Sequence, residues 1–262
     1  MSLIGMPPGN ILQLLYIRFR IKELQKEYGL NTFIELGSGN GDNSSVFLKE
    51  GLQGKGFDLN ESACKNNKVL NANYIKSNKY EVFNSNFFEI SEEKKIDALF
   101  SCMVIEHFPE DLLDKYFVKA KKIISKKGRI MTLVPSSMKY WGIEDEIAGH
   151  IRRFEFAYIE ELAKKYGFEV VKSVGLTYPI SNWLFSFSNK IVNKNEAEML
   201  NKSQQEKTVY TGNREVKFKT TFPKIFDLIL NPIIMFPFYL LQKLGAKSSN
   251  SMVIYFELKN IE

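Results

Sequence analysis

Three alternate glycines, Gly37, Gly39 and Gly41, follow the apolar run Phe33-Ile34-Glu35-Leu36 and lead into a helical pattern opened by Asp42. Glycines so placed let the main chain approach a ligand closely and present its N–H groups, as nucleotide sites require. The spacing is GxGxG, and Asp42 stands where the dinucleotide fingerprint asks for a third Gly or Ala. A carboxylate at that helix start opposes a pyrophosphate but tolerates a cationic ligand. Twenty-one residues after Gly37, Asp58 ends a second apolar run, where a carboxylate accepts both hydroxyls of a ribose. A charge-assisted hydrogen bond of this kind is worth roughly 1.5–3 kcal/mol.

The chain has two histidines, His107 and His150, and both fall just beyond the carboxyl ends of expected strands, where open α/β sheets bind ligands. Histidine is suited to proton transfer near neutral pH, and it serves equally to order a loop through its hydrogen bonds. Arg152 and Arg153, beside His150, read as a solvated or structural pair rather than as a clamp for an acidic substrate. The two cysteines, Cys64 and Cys102, lie far apart with no CxxC, so neither a structural zinc site nor a disulfide framework can be assembled. No metal site is expected, and Cys102 reads as a small buried thiol.

Elements must hold these residues in place. With 262 residues, 44% hydrophobic and 25% charged, the chain can bury a full-sized core, and collagen, coiled coil and disulfide scaffold are excluded. Short apolar runs alternate with longer helical patterns from residue 32 to 176, the signature of a parallel sheet with crossover helices. Strands are expected at 32–36, 55–58, 80–83, 96–101, 129–134 and 168–174, with a last one at 251–258. Helices are expected at 43–49, 61–70, 110–124 and 156–166, with Gly128 and Gly167 as C-caps. An amphipathic helix at 11–28, with Arg18, Arg20, Lys22, Glu23 and Lys26 among its polar residues, is expected to pack over the first strand or rim a site.

Residues 177–250 are too long for a connection inside a compact domain. An apolar opening with Trp183, Leu184, Phe185, Phe187, Ile191 and Val192 precedes a polar, mobile stretch at 193–220 and a second apolar stretch at 222–244. Between residues 176 and 250 ten basic residues face five acidic ones, so nearly all of the net charge of +6 resides there. Basic and apolar together suit a membrane surface or an anionic amphiphile; a solvated loop beside a packed helical pair is the plainer reading. Residues 228–241 would rise roughly 21 Å as a helix against about 30 Å of hydrocarbon. Asn231, Pro232 and Pro237 interrupt them, which favours an interfacial or lid helix broken at the prolines. No basic n-region or apolar h-region precedes Pro7, so a cytoplasmic protein, peripheral at a membrane through 222–244, is expected. Six arginines against thirty lysines make the basic balance weak evidence for nucleic acid, which is not expected as a partner.

On these residues the sequence resembles the class I S-adenosylmethionine-dependent methyltransferases, in particular the small-molecule group that includes the ubiquinone-type O-methyltransferases. Glu35 with the three glycines matches the first motif and Asp58 the ribose-binding acid. Asn86-Phe87 resembles the adenine-contacting position, although many relatives carry Asp there; residues 97–108 resemble the fourth strand with its Glu-His turn, and 149–154 a His-x-Arg-x-Phe segment. The resemblance implies a Rossmann-like α/β fold: a seven-stranded, mostly parallel sheet with an antiparallel last strand, an N-terminal helix at 1–30 and a long helical insertion at 177–250 covering the acceptor site. The cofactor-binding core would be 31–176 plus 251–262. It implies S-adenosylmethionine as cofactor, yielding S-adenosylhomocysteine, held by Glu35, Gly37, Ser38, Gly39, Asn40, Gly41, Asp58, Leu59, Asn86, Phe87 and Ser101. It also implies a small-molecule acceptor methylated at oxygen ahead of nitrogen, with a lipid-linked, glycan or isoprenoid substrate suggested by the insertion. His150 is then the acceptor-side base and His107 lines the cofactor site. The alternatives are a non-catalytic cofactor-binding module that holds a partner, a nicotinamide-dependent oxidoreductase and an RNA methyltransferase.

Overall fold

The computed structural model describes residues 6–91, 94–203, 206–207, 210, 220 and 222–261. Helix α1 (Pro8–Tyr28) leads into β1 (Thr32–Leu36), α2 (Asp42–Lys49), β2 (Gln53–Asp58), α3 (Glu61–Leu70), α4 (Ala72–Lys76) and β3 (Tyr80–Asn84). Then come β4 (Ile96–Cys102), α5 (Glu110–Ile123), β5 (Ile124–Pro135), α6 (Ile143–Ala148), α7 (Phe156–Tyr166) and β6 (Phe168–Leu176). Helices α8 (Ile180–Glu196) and α9 (Pro232–Leu244) precede the last strand, β7 (Val253–Asn260).

The seven strands form one sheet in the order β3-β2-β1-β4-β5-β7-β6. β1 pairs in parallel with β2 (Glu35 opposite Gly56) and with β4 (Leu36 opposite Ser101), β2 with β3, and β4 with β5. β7 enters antiparallel between β5 and β6, so the sheet is the mostly parallel one expected. The order reverses beside β1, and the crevice at such a switch point is where open α/β sheets take ligands.

The chain divides into two compact units. One comprises Ile17–Val134, Phe156–Ser173 and Tyr255–Glu262 and carries most of the sheet. Its core is aromatic: Phe33 stacks on Phe47 at 4.8 Å, Phe57 on Phe83 at 4.9 Å and Phe117 on Tyr166 at 4.6 Å. Helix α5 turns Leu113, Tyr116, Phe117 and Ala120 inward at helical spacing. Arg20, among the polar residues of α1, is buried in a bidentate pair with Glu257. One expectation changes here. Gly128 is not a C-cap, because α5 ends at Ile123 and the chain is extended from Ile124 onward. The pairing steps from Ile96 opposite Ile124 to Ala98 opposite Arg129. At that irregularity a Cβ on Gly128 would lie 2.8 Å from Ile124 Cγ1 and 3.0 Å from the Ile96 carbonyl. Gly167 does end α7, at φ +72°.

The other unit comprises Met1–Tyr16, Pro135–Glu155 and Val174–Ile254. Its apolar opening is the single helix α8, which buries Ile180 and Val192 but leaves Trp183 and Phe187 exposed. Tyr140 meets Phe185 edge-on at 5.5 Å, and Ser188 donates to Glu144 on α6. The stretch expected to be mobile instead continues α8 to Glu196 and passes into a 3-10 turn, Ala197–Asn201. The remainder of that stretch, at 204–205, 208–209 and 211–219, lies outside the described residues. After a 3-10 turn at Lys224–Leu228, Asn231 caps α9 by accepting from the Ile233 and Ile234 N–H groups. The chain breaks before Pro232, which takes a first-turn position, but α9 runs on through Pro237, so only one of the two expected breaks occurs. Gln242, buried on α9, accepts from the Thr177 N–H at 2.9 Å. Among the described residues no helix is long and apolar enough to cross a membrane.

Candidate active site

The glycine loop leaves β1 through three left-handed residues, Gly37 at φ +71°, Gly39 at +48° and Gly41 at +89°. Gly37 and Ser38 both donate to the Phe57 carbonyl, at 2.8 and 3.0 Å, which clamps the loop to the end of β2. A Cβ on Gly37 would come 2.4 Å from Val104 Cγ2, and one on Gly41 2.3 Å from Asn67 Oδ1. A Cβ on Gly39 would meet nothing within 4 Å. That open ground lies beside Asp58, whose Oδ2 accepts from the Gly39 N–H and Oδ1 from the Asn60 N–H, each at 2.8 Å. Each carboxylate oxygen is thus oriented by one backbone donor and keeps acceptor capacity for a vicinal diol. Leu59, 75% exposed, adds an apolar surface next to it.

Beneath the loop runs a buried polar network. Ser44 donates to Glu35, and its hydroxyl lies 2.6 Å from that of Tyr80. Asn67 donates to Tyr80 at 3.1 Å and to Ser38 at 3.2 Å, while Asn71 donates to the Gly41 carbonyl at 3.1 Å and to Asn67 at 2.9 Å. Burial pushes the Glu35 carboxyl up to about 8, with hydrogen bonds from Ser44 and Asn43 opposing the shift, so it holds its proton at neutral pH. Glu35 therefore supports the loop from below. Asp42, first residue of α2, is also raised by burial, and among the described residues its Oδ1 has no hydrogen-bond partner. A buried acceptor without a donor suits a cationic or N–H-bearing ligand group.

The other expected cofactor residues fall around this centre in different ways. Ser38 is buried, and Asn40 is exposed with its Oδ1 accepting from Asn66 at 3.0 Å. Asn86 caps the 3-10 turn Phe87–Glu89 by accepting from the Phe88 N–H. Phe87 is only 2% exposed and contributes its ring to the core against Phe57, with Lys119 over its face. Ser101 is fully buried and donates to Thr132. Tyr80, Asn67, Asn71 and Ser44 were not expected as site residues: polar residues on a strand and two helices announce a network only once the fold superposes them. Burial raises the Cys102 thiol above its ordinary value, as a small inert thiol requires.

His107 closes the 3-10 turn Ile105–His107, reached from β4 through Met103, which holds a left-handed backbone at φ +54°. A non-glycine residue in that region costs of order 1–3 kcal/mol, and such strain gathers at functional sites. His150, in the second unit, follows the left-handed Gly149 that ends α6. Its Nδ1 lies 2.8 Å from Asp145 Oδ1. Asp145, 1% exposed, also receives two bonds from Arg153, at 2.8 and 2.9 Å, and one from the Gly142 N–H. Burial alone would raise the Asp145 carboxyl; bonds from His150 and Arg153 and the guanidinium charge hold it below the usual range. Arg153 is structural, since its third nitrogen, Nη1, donates to the Ser136 carbonyl at 2.8 Å. The Asp145 carboxylate thus takes the Nδ1 side of the imidazole and fixes the orientation of the ring.

A glycine loop opening at the sheet's switch point, with an acid-ended neighbouring strand, places this chain among the α/β folds that take ligands in that crevice. The chain belongs to the methyltransferase-domain family, whose model matches residues 11–173, and the protein is a methyltransferase. No curated protein matches it in sequence. Among solved structures it is similar to mycolic acid cyclopropane synthase complexed with S-adenosylhomocysteine and CTAB, at 16% identity and TM-score 0.57 over 92% of this chain and 83% of that one. It is similar to magnesium protoporphyrin IX methyltransferase from Synechocystis PCC 6803 with bound S-adenosylhomocysteine, at 13% identity and TM-score 0.53 over 64% and 78%. Against the mitomycin 7-O-methyltransferase, at 14% identity and TM-score 0.48, the match covers 61% of this chain and spans half of that enzyme's length, 50%. At these identities the first two likenesses show the fold.

Proposed function

We propose that this protein transfers the methyl group of S-adenosylmethionine to a small-molecule acceptor, at oxygen ahead of nitrogen. The observation that carries the reading is Asp58, oriented by the Gly39 and Asn60 N–H groups beside the open ground at Gly39. Asp58 would hold the ribose hydroxyls, Leu59 would flank the adenine, and Asp42 Oδ1 would take the ammonium of the methionine part. Bound there, the cofactor supplies an electrophilic methyl on a sulfonium with a good leaving group, so little more than alignment and exclusion of water is asked of the protein. Where the acceptor is a hydroxyl, His150 is the group assigned to take its proton, with Asp145 holding Nδ1 and orienting the ring. His107 is assigned to the rim of the cofactor site. Membership of the methyltransferase family replaces the nicotinamide-dependent reading.

Residues 31–176 plus 251–262 are proposed as the cofactor-binding part, and 177–250 as the segment that governs which acceptor is used. The exposed apolar side chains of that segment support a lipid-linked or isoprenoid acceptor over a free glycan. A cytoplasmic protein in peripheral contact with a membrane through 222–244 belongs to the same reading.

Calorimetric titration with S-adenosylmethionine, S-adenosylhomocysteine and NADH tests the cofactor assignment. Micromolar binding of the first two, weakened at least about tenfold in Asp58→Ala, is expected, since a charge-assisted bond is worth roughly 1.5–3 kcal/mol. Tight NADH binding, or unchanged affinity in the variant, would overturn it.

A further inference from the structure

Helix α9 presents two apolar faces where a helix at a protein surface needs one. Its inward face is settled: Met235, Tyr239 and Gln242 are buried, and Gln242 is tied to the Thr177 N–H. Its outward stripe repeats at helical spacing through Ile233, Phe236, Leu240 and Leu244, all exposed, the first and last at 84% and 86%. A solvated helix carries Lys, Glu or Gln along such a stripe. The preceding turn adds Ile225 at 72% and Leu228 at 74% exposed. Contiguous apolar surface of this extent on a soluble unit marks something it binds.

The charges around the stripe indicate what that is. Lys224 stands at one end, and Lys243 and Lys247 at the other, all exposed. Asp227 is the one acid between residues 222 and 250. An apolar middle with basic ends is complementary to a bilayer whose hydrocarbon lies beneath anionic headgroups. In a two-fold pairing of this face with a second copy, the like-charged ends would confront each other. Thirteen residues rise about 20 Å, short of the roughly 30 Å of hydrocarbon, so the helix lies along the interface.

We infer that α9 and the turn before it form an interfacial membrane anchor, seating the protein on anionic lipid through Ile225, Leu228, Ile233, Leu240 and Leu244 with Lys224, Lys243 and Lys247 at the headgroups. This deepens the proposed function by naming its surface, but it needs neither cofactor nor turnover, so its test is separate from the calorimetry.

The test is cosedimentation of the full-length protein with phosphatidylcholine vesicles, with and without phosphatidylserine, and sedimentation velocity without lipid. Phosphatidylserine vesicles are expected to bind the protein. Ile233→Glu with Leu244→Glu should lower the partition coefficient at least about tenfold, as burial of two large aliphatic side chains demands. At those exposures the variant keeps its fold, which an unchanged circular dichroism melt verifies. Lys243→Gln with Lys247→Gln should weaken binding about fivefold per lysine on phosphatidylserine vesicles and leave phosphatidylcholine vesicles unaffected. No binding of the unaltered protein to either vesicle overturns the inference, as does a dimer that the glutamate variant dissolves in the absence of vesicle binding. Equal binding by the glutamate variant and the unaltered protein also overturns it.

Discussion

Glu35 shows how a single side chain can be recognised by type before its surroundings are known. Its place before the glycines marks it as part of a binding motif, but it sits wholly buried under the loop, bonded by Ser44. Its carboxyl rises from 4.5 to about 8, chiefly through burial, which favours the protonated form in the fold. The unfolded chain therefore releases this proton near pH 4.5 and the folded chain only near pH 8. The contribution of the group to stability is complete below the first value and lost as pH rises through the second. At about 1.4 kcal/mol per unit, the loss across that window is of order 4–5 kcal/mol. Urea unfolding of the unaltered protein and Glu35→Gln between pH 5.5 and 8 should show the variant gaining steadily in relative stability; parallel pH profiles would refute the protonated reading. Asp145 makes the converse point. Three residues before Ala148, in a run with no apparent motif, it carries no signal in one dimension, yet it gathers bonds from His150, Arg153 and Gly142.

At the scale of elements, the glycine loop divides its labour between positions that sequence treats as equivalent. Gly41 is packed against Asn67 of α3 and Asn71 just beyond it, whereas Gly39 faces open ground beside Asp58. Gly41→Ala should therefore lower stability by about 2 kcal/mol or more, from left-handed strain and the collision together, and lower the melting temperature with it. Gly39→Ala should cost only about 1 kcal/mol of stability yet weaken S-adenosylmethionine at least tenfold, because its Cβ projects where the ligand would lie. Melting curves and calorimetry on both variants separate the two roles; equal effects on binding and stability in both would defeat the distinction. Element boundaries were legible where periodicity and caps coincide: α3 (Glu61–Leu70) and α7 (Phe156–Tyr166) fall where expected. They were not legible where neighbours decide. Helix α4 is five residues with nothing buried, and β5 begins five residues early because the edge of β4 supplies its partner at Ile96.

For the molecule as a whole, a buried ionic cluster joins its first helix to its last strand. Arg20 on α1 and Glu257 on β7 pair at 2.8 and 2.9 Å, with Arg129 at 3.2 Å and the Tyr255 hydroxyl donating to the same carboxylate. Burial would lower the Arg20 pKa, but the bonds and charge of Glu257 raise it above its ordinary value. Glu257→Ala would remove the carboxylate that two buried guanidinium groups share, leaving Glu23 at 2.7 Å for Arg20 and the Lys127 and Gly128 carbonyls for Arg129, and a loss of about 3 kcal/mol in denaturant unfolding is expected. A change below about 1 kcal/mol would mean that water reaches the cluster. The alternation of strands and helices, the glycine loop, the acid at the end of β2 and the family are legible in one dimension, because each is written in local spacing and backbone permissiveness. So is the basic, apolar character of 177–250. Three-dimensional packing is what makes Arg20 an internal cation, sets Phe87 in the core, binds Arg153 to Asp145 and turns Ile233 and Leu244 of α9 outward. Each of those outcomes depends on which side chain a residue meets from a segment remote in sequence, and burial and pairing energies reside in such meetings.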